Sequence, residues 1–256
     1  MKYNVSCVDK DIQSALREFS LFTLDDKGFL LRAVHGDSNY TEADGEALTV
    51  FYTNKARFIY SLFLFDTVGF VGNTDCKFDS VTAMVDMSRN AVGKISSVKK
   101  LMRQLVLMGY TDFQLYMEDI YEIPEEPYFG YKRGRYSQAE LKEIVEYSKK
   151  IGLEVVPAVQ TLAHLNGIAR WHTYHAIIDF ADILLVDEER TYTLIENMLR
   201  SLKECFGCEK INLGLDEAHM LGLGKYLDKH GYTKRVDILA RHIKRVCAIA
   251  EKYGFT

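Results

Sequence analysis

The sequence has no apolar run long enough to cross a bilayer. Its most apolar stretch, Phe58 to Phe70, falls short of the roughly 20 residues a spanning helix needs, and its aromatic, β-branched character reads as strand. The N-terminal stretch MKYNVSCVDKDIQ contains no apolar segment of signal-peptide length. A soluble, cytoplasmic protein with no membrane partner is expected. Dense runs of positive charge are lacking too. Lys99-Lys100 and Lys149-Lys150 are isolated pairs on helix faces, and the net charge is −4, which argues against nucleic acid or another polyanion as partner. The five cysteines are odd in number and scattered, so a disulfide framework is not expected. Cys205-Phe206-Gly207-Cys208 has C-x-x-C spacing but falls at a predicted helix end. A reactive pair sits at the opposite pole, where the helix dipole favours a thiolate. No second Cys/His pair with zinc-site spacing accompanies it, so buried or half-buried thiols are expected. Tryptophan occurs once, at Trp171.

What remains is an ordinary globular composition, 48% hydrophobic and 27% charged. Residues 1–80 read as a small α+β domain. A short helix is expected over Asp9 to Phe19, and strands at Phe29-Leu30-Leu31, Leu48 to Tyr52 and Phe58 to Phe63. The turn Thr53-Asn54-Lys55-Ala56 joins the last two as a hairpin, and Asp37 to Thr41 reads as polar loop. From residue 81 to 256 the rhythm is strand, helix, strand, helix. Val81 to Val85 resembles a strand buried on both faces. A helix from Lys94 to Met108 carries Val98, Leu101, Met102, Leu105 and Met108 on one stripe and stops at Gly109. A strand follows at Asp112 to Met117. Ser137 and Glu140 then form a capping box for a helix that buries Leu141, Ile144, Val145 and Ile151 and ends at Gly152. The third strand is Glu154 to Val159, and the helix from Thr191 to Cys205 carries Ile195, Met198, Leu199 and Leu202. The fourth strand is Lys210 to Leu215. The last helix, Thr233 to Lys252, aligns Val236, Leu239, Ile243, Val246 and Ala250.

Four successive βα units imply a parallel α/β sheet, doubly wound or closed as a (β/α)8 barrel. The segment Ser88-Arg89-Asn90-Ala91-Val92-Gly93 has no dinucleotide-binding spacing. Polar residues cluster just beyond each strand instead: Asp86 and Arg89, Glu118 and Asp119, His164, Asp216 and Glu217. A TIM barrel builds its site at that end, so a (β/α)8 TIM-barrel type is expected, with about the first four βα units present.

The segment Asn212-Leu213-Gly214-Leu215-Asp216-Glu217-Ala218-His219 closes an apolar strand with two adjacent carboxylates. Each disfavours ionisation of the other, which suits a general acid. A plainer role is to cap the next helix or to pair with Lys225. Asn212-x-Gly214-x-Asp216-Glu217 resembles the Asp-Glu signature of family 20 glycoside hydrolases. The resemblance extends to Val85-Asp86-Met87-Ser88-Arg89 and to Leu115-Tyr116-Met117-Glu118-Asp119. It continues through Gly134-Arg135-Tyr136-Ser137, Glu143-Ile144-Val145, Tyr147, Gly152-Leu153-Glu154-Val155-Val156-Pro157 and His164, in order across residues 81 to 256. The chain departs from the family pattern at Ala158, after Pro157, and at Leu162-Ala163, before His164.

The resemblance implies a β-N-acetylhexosaminidase that works by substrate assistance, on N-acetylhexosamine-containing oligosaccharides or glycoconjugates. Asp216 would orient the acetamido group and Glu217 would act as general acid and then base. Arg89 would hold sugar hydroxyls, with Asp119 and His164 as a supporting pair. It implies no cofactor and no metal. His172 and His175 form an H-x-x-H read as loop rather than metal site, and His219 could orient Glu217. Tyr116, Tyr121, Tyr128 and Tyr131 are candidates for stacking on sugars. Four of eight barrel units imply part of a longer protein, and the exposed edges of a half barrel open the way to self-association. Two other readings stand beside this one. The chain could be a non-catalytic sugar-binding relic of the same fold, or a conventional retaining glycosidase in which Glu118 supplies a second carboxylate about 5 Å away.

Overall fold

In the computed structural model, which describes residues 1–89 and 91–256, the chain divides into two compact units. Asn90, within the stretch read as lacking a phosphate loop, lies outside the described residues. The first unit comprises residues 1–83, 94–113 and 144–155, and the second residues 84–93, 114–143 and 156–256.

The first unit is built on a mixed sheet. In chain order its elements are β1 (Lys2–Cys7), α1 (Lys10–Leu16), β2 (Thr23–Leu24), β3 (Phe29–His35), β4 (Tyr40–Ala43), β5 (Ala47–Tyr52), α2 (Lys55–Val68) and β6 (Gly72–Asn73). The sheet order is β2-β1-β3-β5-β4-β6. β1, β2, β3 and β5 are parallel, and β4 runs antiparallel to both of its neighbours. Two expectations are corrected here. Phe58 to Phe63 is helix, not strand, and Thr53 to Ala56 leads into α2, with Asn54 as its N-cap and Lys55-Ala56 as its first residues, rather than forming a hairpin turn. A short apolar run does not by its periodicity distinguish a strand from a buried helix. Local chemistry decides it: the Asn54 side chain accepts the Arg57 N–H as an N-cap, and Gly69 closes the helix in the left-handed region. Phe58, Ile59 and Leu62 are then fully buried with Leu31 and Leu48 of the sheet. Tyr40-Thr41, read as loop, belongs to β4 through its pairing with Phe51 and Val50.

The βα repeat follows as β7 (Thr82–Asp86), α3 (Ile95–Leu107), β8 (Asp112–Glu118), α4 (Gln138–Ile151) and β9 (Glu154–Val159), with sheet order β7-β8-β9. The Ser137 capping box forms as read. The Ser137 N–H and hydroxyl both donate to Glu140 Oε2 at 2.8 Å, and the Glu140 N–H donates to Ser137 Oγ at 3.2 Å. β7 is not buried on both faces: Thr82, Met84 and Asp86 share an exposed face, with Met84 59% exposed. On α3 the stripe is Val98, Met102, Leu105 and Val106, and Met108 is exposed.

The second unit continues with α5 (Asn166–Ala169), a 3₁₀ turn at His172–Ile177, β10 (Ile178–Phe180), β11 (Ile183–Leu184), α6 (Glu189–Phe206), α7 (Lys225–His230) and α8 (Arg235–Lys252). Its core includes Leu162, Ile183, Leu185, Leu221, Tyr226 and Ile238. The inward face of α8 is rotated from the one read: Val246 and Ala250 are buried as expected and Leu239 packs on the core, but Ile238 and His242 join them while Val236 and Ile243 are exposed. The fourth strand shrinks to one parallel bridge, Ala158 with Asn212. It is held by Asn212 N–H to the Pro157 carbonyl and Thr161 N–H to the Leu213 carbonyl, both 3.0 Å. Cys205 is buried at the C-terminal end of α6, and burial pushes its thiol up to about 11. No helix among the described residues is long and apolar enough to cross a membrane.

Candidate active site

Strand alternation places the site. On β8, Phe113, Leu115 and Met117 turn into the core, which leaves Gln114, Tyr116 and Glu118 on the other face. Beyond β9 the same alternation presents Gln160. At Gly214 the chain adopts φ 54°, and a Cβ there would lie 2.1 Å from the Val159 carbonyl oxygen. Only glycine permits that approach, and it breaks the ladder just before Asp216. Glu217 then takes φ 56°, and the His219 N–H closes on the Glu217 carbonyl at 2.7 Å. This tight turn cancels the alternation, so two consecutive carboxylates reach one pocket. Glu118 and His164 also have positive φ, 46° and 57°. Three non-glycine residues in this costly region at one site is the pattern of a functional centre.

The pocket, about 330 Å³, is lined by Met84, Asp86, Arg89, Tyr116, His164, Asp216 and Glu217. A continuous polar chain runs through it. Asp86 accepts the Ser88 N–H and hydroxyl and holds Arg89 at 2.7 Å. Arg89 pairs with Glu118 at 3.2 Å and lies over the Tyr116 ring, 5.6 Å from its centroid. The Tyr116 hydroxyl donates to Glu118 at 3.2 Å and accepts from the Gln160 amide at 2.9 Å. The same amide donates to Asp216 Oδ1 at 2.9 Å. His164 Nε2 lies 3.4 Å from Asp216 and 3.3 Å from Glu217.

These contacts set the charges. The Gln160 hydrogen bond, aided by His164, holds the Asp216 carboxyl below the usual carboxylate range against partial burial. The mutual strain expected of adjacent carboxylates is thus overridden at Asp216. Burial opposes ionisation of Asp86, but Ser88 and Arg89 outweigh it and leave this carboxyl lowered. Glu118 is raised by burial despite Arg89, and burial lifts the Tyr116 hydroxyl to about 12.

Of the residues expected at the site, Arg89, His164, Asp216 and Glu217 converge. Asp119 does not join His164, and that expectation is corrected. Asp119 is 1% exposed, and Arg133 reaches it through Nε at 3.3 Å and Nη2 at 3.2 Å. Burial raises its pKa, with Arg133 opposing. Lys225 donates to the His175 carbonyl. His172 and His175 lie in the 3₁₀ turn with ring centroids 5.4 Å apart. Gln160 and Arg133 were missed; the only trace of Gln160 in the sequence is a polar residue one step beyond an apolar strand. His164, Asp216 and Glu217 each bring a possible ligand atom within 4.8 Å of one another, a spacing that could also hold a divalent cation.

Residues 82–247 match the catalytic domain of glycosyl hydrolase family 20. The chain belongs to that family. Hexosaminidase D of Homo sapiens is 27% identical over 144 residues, which is 54% of this chain and 29% of that protein. The beta-hexosaminidase subunit beta of Entamoeba histolytica is 23% identical over 158 residues, 52% of this chain and 27% of the relative. Among solved structures, a mutant Streptomyces plicatus beta-hexosaminidase in complex with product (GlcNAc) superposes with a TM-score of 0.80 at 19% identity, covering 99% of this chain and 60% of that one. A family 20 exo-β-N-acetylglucosaminidase from Vibrio harveyi, in complex with N-acetylglucosamine, gives a TM-score of 0.79 at 13% identity, covering 99% and 50%. The chain therefore spans half to three-fifths of these structures and under a third of these two curated relatives. The fold is of the family's TIM-barrel type, with β7, β8, β9 and the 210–215 segment as its successive barrel strands.

Proposed function

We propose that this chain carries the acid pair of a β-N-acetylhexosaminidase that removes terminal N-acetylhexosamine through participation of the substrate's own acetamido group. The observation that carries the reading is the constellation of Gln160, Asp216, His164 and Glu217 in one pocket. Asp216, kept ionised by Gln160, accepts the acetamido N–H and stabilises the positive charge that develops as the acetamido oxygen attacks the anomeric carbon. Glu217 gives its proton to the glycosidic oxygen as that bond breaks, leaving a bicyclic oxazolinium ion. Glu217 then takes a proton from the water that opens this ion, and configuration is retained. This is one of the exceptions to the two-carboxylate scheme. Arg89, steadied between Asp86 and Glu118, holds sugar hydroxyls through its remaining donors, a task that suits its rigid fork.

A thiazoline mimic of the oxazolinium ion tests the reading. It should inhibit far more tightly than the product sugar, because a site complementary to the intermediate binds its stable mimic best. Equal affinity for thiazoline and product would contradict acetamido participation. One observation favours a second reading, sugar binding without turnover. The Asp216 and Glu217 side chains are 60% and 64% exposed, whereas acid catalysis works in a site closed to water. Saturable binding of the mimic without cleavage of any N-acetylhexosaminide would select that reading.

A further inference from the structure

The catalytic pocket is lined by Met84 and polar groups, with one phenol ring, Tyr116, and one imidazole, His164. A second cleft, about 430 Å³, is lined by Tyr128, Trp171, His172 and Thr173. Its walls come from two loops, the one after β8 and the one after β9. Tyr128, Tyr131 and Trp171 form a three-ring cluster, with centroids 5.5 Å apart for Tyr128–Trp171, 5.3 Å for Tyr131–Trp171 and 5.7 Å for Tyr128–Tyr131. The cluster is not core packing. Tyr128 and Tyr131 are 44% and 41% exposed, while Phe129 between them is fully buried against Tyr121. The loop thus anchors one ring inward and holds two outward.

Both loops are fastened to the strand end that enters the catalytic pocket. Asp119, next to Glu118, is the fastening point. Arg133 binds its carboxylate and the Ser88 carbonyl, the latter at 2.7 Å. A Cβ on Gly130 would lie 2.2 Å from the Asp119 carbonyl oxygen, and one on Gly167 would lie 1.8 Å from Asp119 Oδ2. Arg133 thus ties the loop of Tyr128 and Tyr131 to Asp119, and the segment that leads to Trp171 packs against the same residue at Gly167.

We propose that Tyr128, Tyr131 and Trp171 form a stacking platform for a second pyranose ring of the substrate. The proposal rests on the hexosaminidase reading above. An enzyme that removes terminal sugars holds one ring at its acid pair, so any further ring it binds belongs to the leaving group. The CH face of a β-linked pyranose is flat and apolar and fits exposed aromatic faces. His172 and Thr173 at the rim offer hydrogen bonds to ring hydroxyls. A cleft of this size, mainly aromatic with a few polar groups, has the usual make-up of a small-molecule site. Asp119 is a positioning residue for this platform.

Trp171 is the one tryptophan in the chain, so intrinsic fluorescence reports on the platform directly. The Glu217→Gln chain is titrated with N,N′,N″-triacetylchitotriose and, separately, with N-acetylglucosamine. The trisaccharide should shift Trp171 emission saturably and the monosaccharide should not. Tyr128→Ala should weaken the trisaccharide about tenfold or more, the scale of one lost contact. Trp171→Phe, which keeps a ring, should preserve trisaccharide binding measured by calorimetry, with circular dichroism checking the fold of each variant. With Glu217 intact, Tyr128→Ala should raise KM for the trisaccharide by a larger factor than KM for a methyl glycoside. No emission change, or one indifferent to Tyr128→Ala, overturns the platform even if the chain hydrolyses N-acetylhexosaminides. An emission change that depends on Tyr128, in a chain that cleaves nothing, upholds the platform and sinks the catalytic reading alone.

Discussion

The Gln160 side-chain amide donates to Asp216 Oδ1 at 2.9 Å, and this contact leads the causes that hold Asp216 below the usual carboxylate range. The lowered carboxyl stays ionised further into acid than an ordinary carboxylate, as the role proposed for it, accepting the acetamido N–H, requires. Gln160→Leu removes the donor, so the Asp216 pKa moves up and the acid limb of the kcat/KM profile moves to higher pH. Turnover at neutral pH should fall roughly 10- to 100-fold, the worth of a hydrogen bond to a charged group. An acid limb in the same place would show that Gln160 does not tune Asp216.

Asp119 and Arg133 are predicted to govern stability rather than the chemical step. Asp119→Ala leaves the Arg133 guanidinium, 18% exposed, without its carboxylate. A loss of about 3 kcal/mol in urea unfolding is expected. Gly167→Ala should be at least as damaging, because its Cβ would overlap the Asp119 carboxylate. Wild-type stability in both variants would remove Asp119 from its place at the loop junction.

The family, and the arrival of Asp216 and Glu217 at one pocket, were legible because they depend on short-range order. Polar residues one step past apolar strands mark a barrel mouth, and Asn212-x-Gly214-x-Asp216-Glu217 is contiguous. The Ser137–Glu140 capping box was legible for the same reason. What was misread depends on partners distant in sequence. Phe58 to Phe63 has no decisive period, and only Asn54's cap and burial beneath the sheet make it helix. Asp119 was grouped with His164 because nothing in the sequence shows that Arg133, beyond a loop, supplies its charge. Gln160 is uncharged and lies just past a strand, so it stood out only once its amide was found between Tyr116 and Asp216. The 210–215 strand was overread because Gly214 interrupts its ladder.

His242 is fully buried, with one ring nitrogen 3.2 Å from the Tyr192 hydroxyl and the other 3.0 Å from the Thr161 carbonyl. Burial lowers its pKa to about 4. The unfolded chain therefore binds a proton near pH 6.5 that the folded chain refuses. The associated stability is fully present above that pH and is lost as pH falls toward 4, by roughly 3 kcal/mol in all. His242→Gln should flatten that part of the profile in denaturant titrations at several pH values. A slope unchanged in the variant would assign the acid sensitivity elsewhere.

His164, Asp216 and Glu217 have a spacing that could bridge a cation, yet the proposed chemistry uses them as proton-transfer and orienting groups. Hydrolysis should therefore be unaffected by excess EDTA and by added divalent ions. Loss of activity on chelation, restored by one metal, would reassign the trio as ligands.

The most direct test of the central claim is hydrolysis of a chromogenic β-N-acetylglucosaminide by this chain, alongside the matching β-glucoside. Cleavage of the acetamido sugar alone is predicted, with Asp216→Asn and Glu217→Gln each reducing it roughly 10²- to 10⁴-fold in a folded protein. A folded chain that cleaves both sugars equally, cleaves neither, or is indifferent to Glu217→Gln would contradict it.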